Sequence, residues 1–61
     1  MANLTTKELT ALEEQLGGEQ VLIKKYRTMA GQSHDAAIQT SLESMAGRHQ
    51  QHYDKLLTYL K

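Results

Sequence analysis

The chain has 61 residues, with seven basic and seven acidic side chains, three histidines, and neither cysteine nor proline. That length allows one domain with a thin core, and scaffolds this small usually gain stability from a staple, a metal or a partner chain. Disulfides and cysteine-zinc sites are excluded, no basic stripe favours nucleic acid, and no apolar run approaches the roughly 20 residues that span a bilayer.

Met1 to Lys7 carries no apolar stretch of the signal-peptide kind, so the expected setting is cytoplasmic. Thr5-Thr6-Lys7-Glu8 fits a capping box, with the Thr5 hydroxyl on an early amide and Glu8 reaching back. It predicts a helix over about 6–30. Residues at alternating three- and four-residue steps along it are Leu9, Leu12, Leu16, Glu19, Ile23, Tyr26 and Ala30, one seam that packs against another helix. Gly17 and Gly18 each cost about 1 kcal/mol relative to alanine in mid-helix. Leu16, Glu19 and Ile23 keep phase across them, which predicts a continuous or gently bent helix. Two small residues before Glu19 also let a backbone or ligand come close. Gly31 is the expected left-handed C-cap, with Lys24, Lys25 and Arg27 near the negative end of the dipole.

A short connection over about 31–33 follows. Ser33 is the expected N-cap of a second helix over about 34–60, with Asp35 in its first turn and His34 exposed beside the loop. The second seam reads Ile38, Leu42, Met45, His49, His52, Leu56 and Tyr59. Two long helices and a tight loop make the chain, over 1–61, a single all-α domain: an antiparallel helical hairpin.

One antiparallel pair has a single contact face. The apolar set is wider, with Val21, Leu22, Met29, Ala37, Ala46, Tyr53, Leu57 and Leu60 flanking the seams. Two hairpins paired as a homodimeric four-helix bundle bury this set and leave Lys7, Glu14, Lys24, Lys25, Glu43, Gln50 and Lys61 outside. Met29 and Met45 are expected as core fillers. Tyr53 and Tyr59 are expected to pack with wetted hydroxyls.

Glu19, His49 and His52 stand where the seams call for leucine. A carboxylate and imidazoles are costly to bury without partners. Folding the hairpin about residues 32–33 brings position 19 level with roughly 45–49. His49 and His52, at i, i+3, point the same way. In a two-fold dimer, two carboxylates and four imidazoles would share one layer. Two readings fit. One is a divalent transition-metal site, since two histidines and a carboxylate suit Zn(II), Fe(II), Mn(II) or Cu(II). The other is a metal-free hydrogen-bonded network that fixes register and pairing. Tyr26, two turns beyond Glu19, is the expected hydrogen-bond donor that orients the carboxylate. No hydrolytic triad or phosphate loop is present, so no enzymatic activity is expected.

Leu9 to Leu16 followed by Glu19-Gln20 and Tyr26, with Arg48-His49-Gln50-Gln51-His52-Tyr53 and Leu56-Leu57, resembles the small ferritin-like proteins of spore-forming bacteria, in the spore coat protein F-like group. The resemblance covers roughly Leu4 to Leu60. Glu19 and Tyr26 match a ligand glutamate and a tyrosine two turns later. His52 matches the histidine of the Glu-x-x-His motif, whose glutamate position is His49 here. The resemblance implies a ferritin-like four-helix architecture, an altered metal site rather than ferroxidase chemistry, and a non-enzymatic assembly role, cytoplasmic or in the spore coat, with other coat proteins as partners. A hairpin that docks onto a larger partner's helices is a further reading.

Overall fold

The computed structural model describes residues 3–60. Lys61, assigned above to the charged exterior, lies outside the described residues. Two helices pack side by side, α1 over Thr6–Gln32 and α2 over Ala36–Leu57, followed by a 3-10 turn over Thr58–Leu60. The hairpin is long and thin, 46 × 16 × 10 Å. Among the described residues no helix is long and apolar enough to cross a membrane.

The start of α1 follows the sequence signal. The Glu8 N–H donates to Thr5 Oγ1 and the Thr5 N–H donates to Glu8 Oε1, both at 3.0 Å. These two bonds satisfy amides that the helix itself leaves unpaired. The helix then runs unbroken through Gly17 and Gly18.

Its end differs from expectation. Gly31 is helical, and no residue among those described has positive φ. The C-cap is Ser33, in extended conformation, with its N–H on the Ala30 carbonyl at 3.3 Å. An extended cap needs no left-handed residue. The longer helix also leaves its last turn without a basic side chain. Lys24, Lys25 and Arg27 therefore lie too far from the terminus for the dipole to explain them.

Asp35, not Ser33, caps α2, with Oδ1 accepting from the Ile38 N–H at 3.0 Å. Ser33 instead closes the loop, its hydroxyl accepting from the Asp35 N–H and contacting the Asp35 carbonyl, both at 3.2 Å. The second helix thus begins two residues later than the sequence suggests. At its far end, α2 gives way to the 3-10 turn rather than continuing to residue 60.

The α1 seam packs as expected from Leu12 onward, with Glu19, Ile23 and Ala30 buried and Leu12, Leu16 and Tyr26 half-buried, while Leu9, its first member, is exposed. On α2 the contact face is rotated. Ala46 is buried, and Gln39, Leu42, His49, Tyr53 and Leu56 are half-buried. Ile38, Met45 and Tyr59 from the expected seam are exposed, and so is Met29 on α1. The two methionines therefore fill no core within the hairpin. Ala46 gives the physical reason, since a small side chain allows closer approach of the helices than Met45 would. Among the described residues no large side chain is fully buried. Gln50, expected on the outside, is half-buried and accepts from Arg27 across the helix pair at 3.3 Å.

Candidate metal centre

Glu19 lies near the middle of α1 and is the one buried charged residue among those described. Its side chain is 7% exposed. Facing it across the helix pair, His49 Nδ1 lies 2.8 Å from Glu19 Oε2, and His52 Nδ1 lies 3.6 Å from the same oxygen. The i, i+3 step on α2 aims both imidazoles at one carboxylate oxygen, as helical spacing requires. Among the described residues, these two rings are the only ion-pairing partners of Glu19.

Supporting contacts hold the rings. The Tyr26 ring stacks on His49, with centroids 5.7 Å apart and planes 13° from parallel. His49 and His52 meet edge to face, with centroids 5.5 Å apart. Tyr26 was expected to hydrogen-bond the carboxylate, and it orients the imidazole instead. Gln15 is a contact that the sequence reading missed. Its Nε2 makes a long contact of 3.5 Å to Glu19 Oε1, one turn away on α1. The i, i+4 spacing of Gln15 and Glu19 was the available signal. No buried side-chain nitrogen or oxygen lacks a partner among the described residues.

The three sequence-predicted ligands are thus brought together, and one ligand atom from each lies within 4.8 Å of the others. A tetrahedral zinc with bonds near 2.1 Å places its donors about 3.4 Å apart. The pair at 3.6 Å is close to that separation, the pair at 2.8 Å needs a small outward shift, and the widest separation, within 4.8 Å, has to close toward it. The bond at 2.8 Å carries a proton between imidazole and carboxylate, and a metal ion would replace it. His34 takes no part in this cluster.

The three side chains differ in exposure. The His49 side chain is 25% exposed and that of His52 is 61% exposed. One wall of the cluster therefore opens to the surface, along a groove of about 340 Å³ lined by Gln15, Glu19, His52, Lys55, Leu56 and Tyr59.

No known protein family, curated protein or solved structure matches this chain.

Proposed function

We propose that this chain is a small non-enzymatic assembly protein that pairs as a homodimeric four-helix bundle and binds a divalent transition metal, zinc or iron, through Glu19, His49 and His52. The observation that carries the metal reading is the convergence of three ligand atoms within 4.8 Å, one of them a buried carboxylate. A buried carboxylate needs a compensating positive charge, and no lysine or arginine among the described residues pairs with Glu19. Two neutral imidazoles and a carboxylate are a donor set that Zn(II) and Fe(II) accept.

Assembly is supported by what the hairpin leaves uncovered. Leu9, Val21, Met29, Ile38, Met45, Tyr59 and Leu60 are all exposed. The surface of the chain is 4783 Å², about 800 Å² more than the roughly 4,000 Å² expected of a compact 6.9 kDa monomer. A standard protein interface buries about that area per partner. The resemblance to ferritin-like spore coat proteins agrees with this reading and extends it to a place in the spore coat.

Calorimetric titration with Zn(II), and with Fe(II) under anaerobic conditions, tests the metal reading. It predicts one ion per chain for the parent protein and loss of binding in Glu19→Gln. Equal binding by both proteins would remove the carboxylate from the site.

A further inference from the structure

The two sides of the hairpin are unlike. On one side, Gln20 donates to the Tyr53 hydroxyl at 3.1 Å and Arg27 donates to Gln50 at 3.3 Å, so polar side chains lace the helices together. A groove of about 400 Å³ lies on this laced side, lined by Gln20, Ile23, Arg27, Gln50 and Tyr53, whereas the groove on the other side, from Gln15 to Tyr59, is crossed by no such hydrogen bond and includes the ligands Glu19 and His52. Gln15 marks its α1 edge, and Leu22 and Met29 follow at seven-residue steps. His52 and Tyr59 mark its α2 edge, and Met45 and Ile38 precede them at the same step. Seven residues are close to two helical turns, so each set forms one stripe. Met29, Ile38, Met45 and Tyr59 are between 42% and 55% exposed.

On this basis we infer that a second copy of the chain docks on this face, and that metal binding at Glu19, His49 and His52 switches the docking on. The inference rests on the metal reading above. His52 links the two events because it belongs both to the ligand cluster and to the apolar stripe. Docking moves its imidazole from water into an apolar contact, and its nearest polar neighbour, Glu19 Oε2 at 3.6 Å, is bonded to His49 and beyond hydrogen-bond reach of the His52 ring, so the move is unfavourable without a further partner. A bound metal supplies that partner and offsets the charge of Glu19. Three ligands from one chain also leave a tetrahedral ion with an open position. His52 is the exposed member of the cluster and lies on the docking face, so the second copy covers the ligand that one hairpin leaves open. The second copy is favoured as occupant because the excess surface of one chain matches one half of a standard interface. Binding linkage then works in both directions: metal tightens the dimer, and the dimer tightens metal.

Sedimentation analysis of the full chain over a concentration series, with chelator or with Zn(II), tests the switch when bound zinc is measured in the same samples. The dimer dissociation constant of the parent chain is expected to fall by roughly tenfold or more with zinc. His52→Leu removes a ligand and completes the apolar stripe, so its dimer should form equally with and without zinc. Met45→Glu keeps all three ligands, so it should bind zinc more weakly and as a monomer. A parent chain that binds zinc with an unchanged dimer constant overturns the switch and leaves the metal reading standing. A zinc-loaded parent chain that stays monomeric overturns the second copy as occupant. Absence of zinc binding overturns the metal reading itself, and the switch with it.

Discussion

Glu19 and His49, thirty residues apart in sequence, meet at 2.8 Å across the helix pair, with the carboxylate buried. This contact ties the mid-height of α1 to the mid-height of α2, at the level that the short loop between Gln32 and Ala36 sets. A single buried carboxylate has one place where two imidazoles can reach it, so the same contact reinforces that register and assembles the ligand cluster.

The polar pair should behave as a unit. His49→Leu leaves the Glu19 carboxylate short of its nearest partner and is expected to lower stability by about 1–3 kcal/mol. The double variant Glu19→Leu with His49→Leu replaces both partners by apolar groups and should recover most of that loss or exceed the parent. Thermal denaturation followed by circular dichroism, in the presence of chelator, measures both. Additive losses in the double variant would mean that the two side chains contribute independently.

Helix caps give a second check. Asp35→Ala removes the acceptor for the Ile38 N–H and should cost about 1 kcal/mol, read as a drop in melting temperature. Ser33→Ala should cost less, since Ser33 closes the loop but caps no helix N-terminus. The reverse order would restore Ser33 as the cap.

The capping box carries a pH signature. The Thr5 backbone N–H, and then its hydroxyl, hold the Glu8 carboxyl below the ordinary glutamate value of 4.5. A carboxyl whose folded value is depressed contributes its stability above the unfolded value and loses it as pH falls through the folded one. The first turn of α1 is therefore expected to be fully capped above about pH 4.5 and to fray below it. Nuclear magnetic resonance titration of the Glu8 side chain, with the Thr5 amide shift as reporter, checks the sign. A Glu8 midpoint at or above the ordinary value would contradict it.

Gly17 and Gly18 are helical, and a Cβ at either position meets nothing within 4 Å in the hairpin. Alanine at each should therefore stabilise the chain by about 0.4–1 kcal/mol, through a less flexible unfolded state and better helix propensity. Melting temperature and helical ellipticity should both rise. If either alanine lowers the stability of the assembled protein, another backbone comes close there, as two small residues before Glu19 allow.

Much of this architecture is legible in the sequence, because its signals are local or periodic. Thr5 and Glu8 stand at capping-box spacing, and both reciprocal bonds form. The level of Glu19 with His49 follows from counting outward from a short loop. The rotation of α2 is less legible. Ranking positions by apolar size puts Ile38, Met45 and Tyr59 in the seam, whereas packing puts Ala46 there and turns the larger residues outward. His49 is common to both faces, which is why the ligand cluster survives the rotation, while His52 moves to its open edge. Ser33 and Asp35 are both good caps two residues apart, and only the geometry of the Ile38 amide decides between them. Tyr26 illustrates the same limit, since its spacing places it near Glu19 but its ring settles flat on His49.

The central claim is that Glu19, His49 and His52 bind metal. Native mass spectrometry of the untagged chain near neutral pH, with and without Zn(II) and Fe(II), tests it most directly beside a variant carrying His49→Leu and His52→Leu. The expected result is a dimer with stoichiometric metal for the parent chain and no bound metal for the variant. A parent chain that stays free of metal at every concentration of both ions would contradict the account and reduce the cluster to a register-setting polar network.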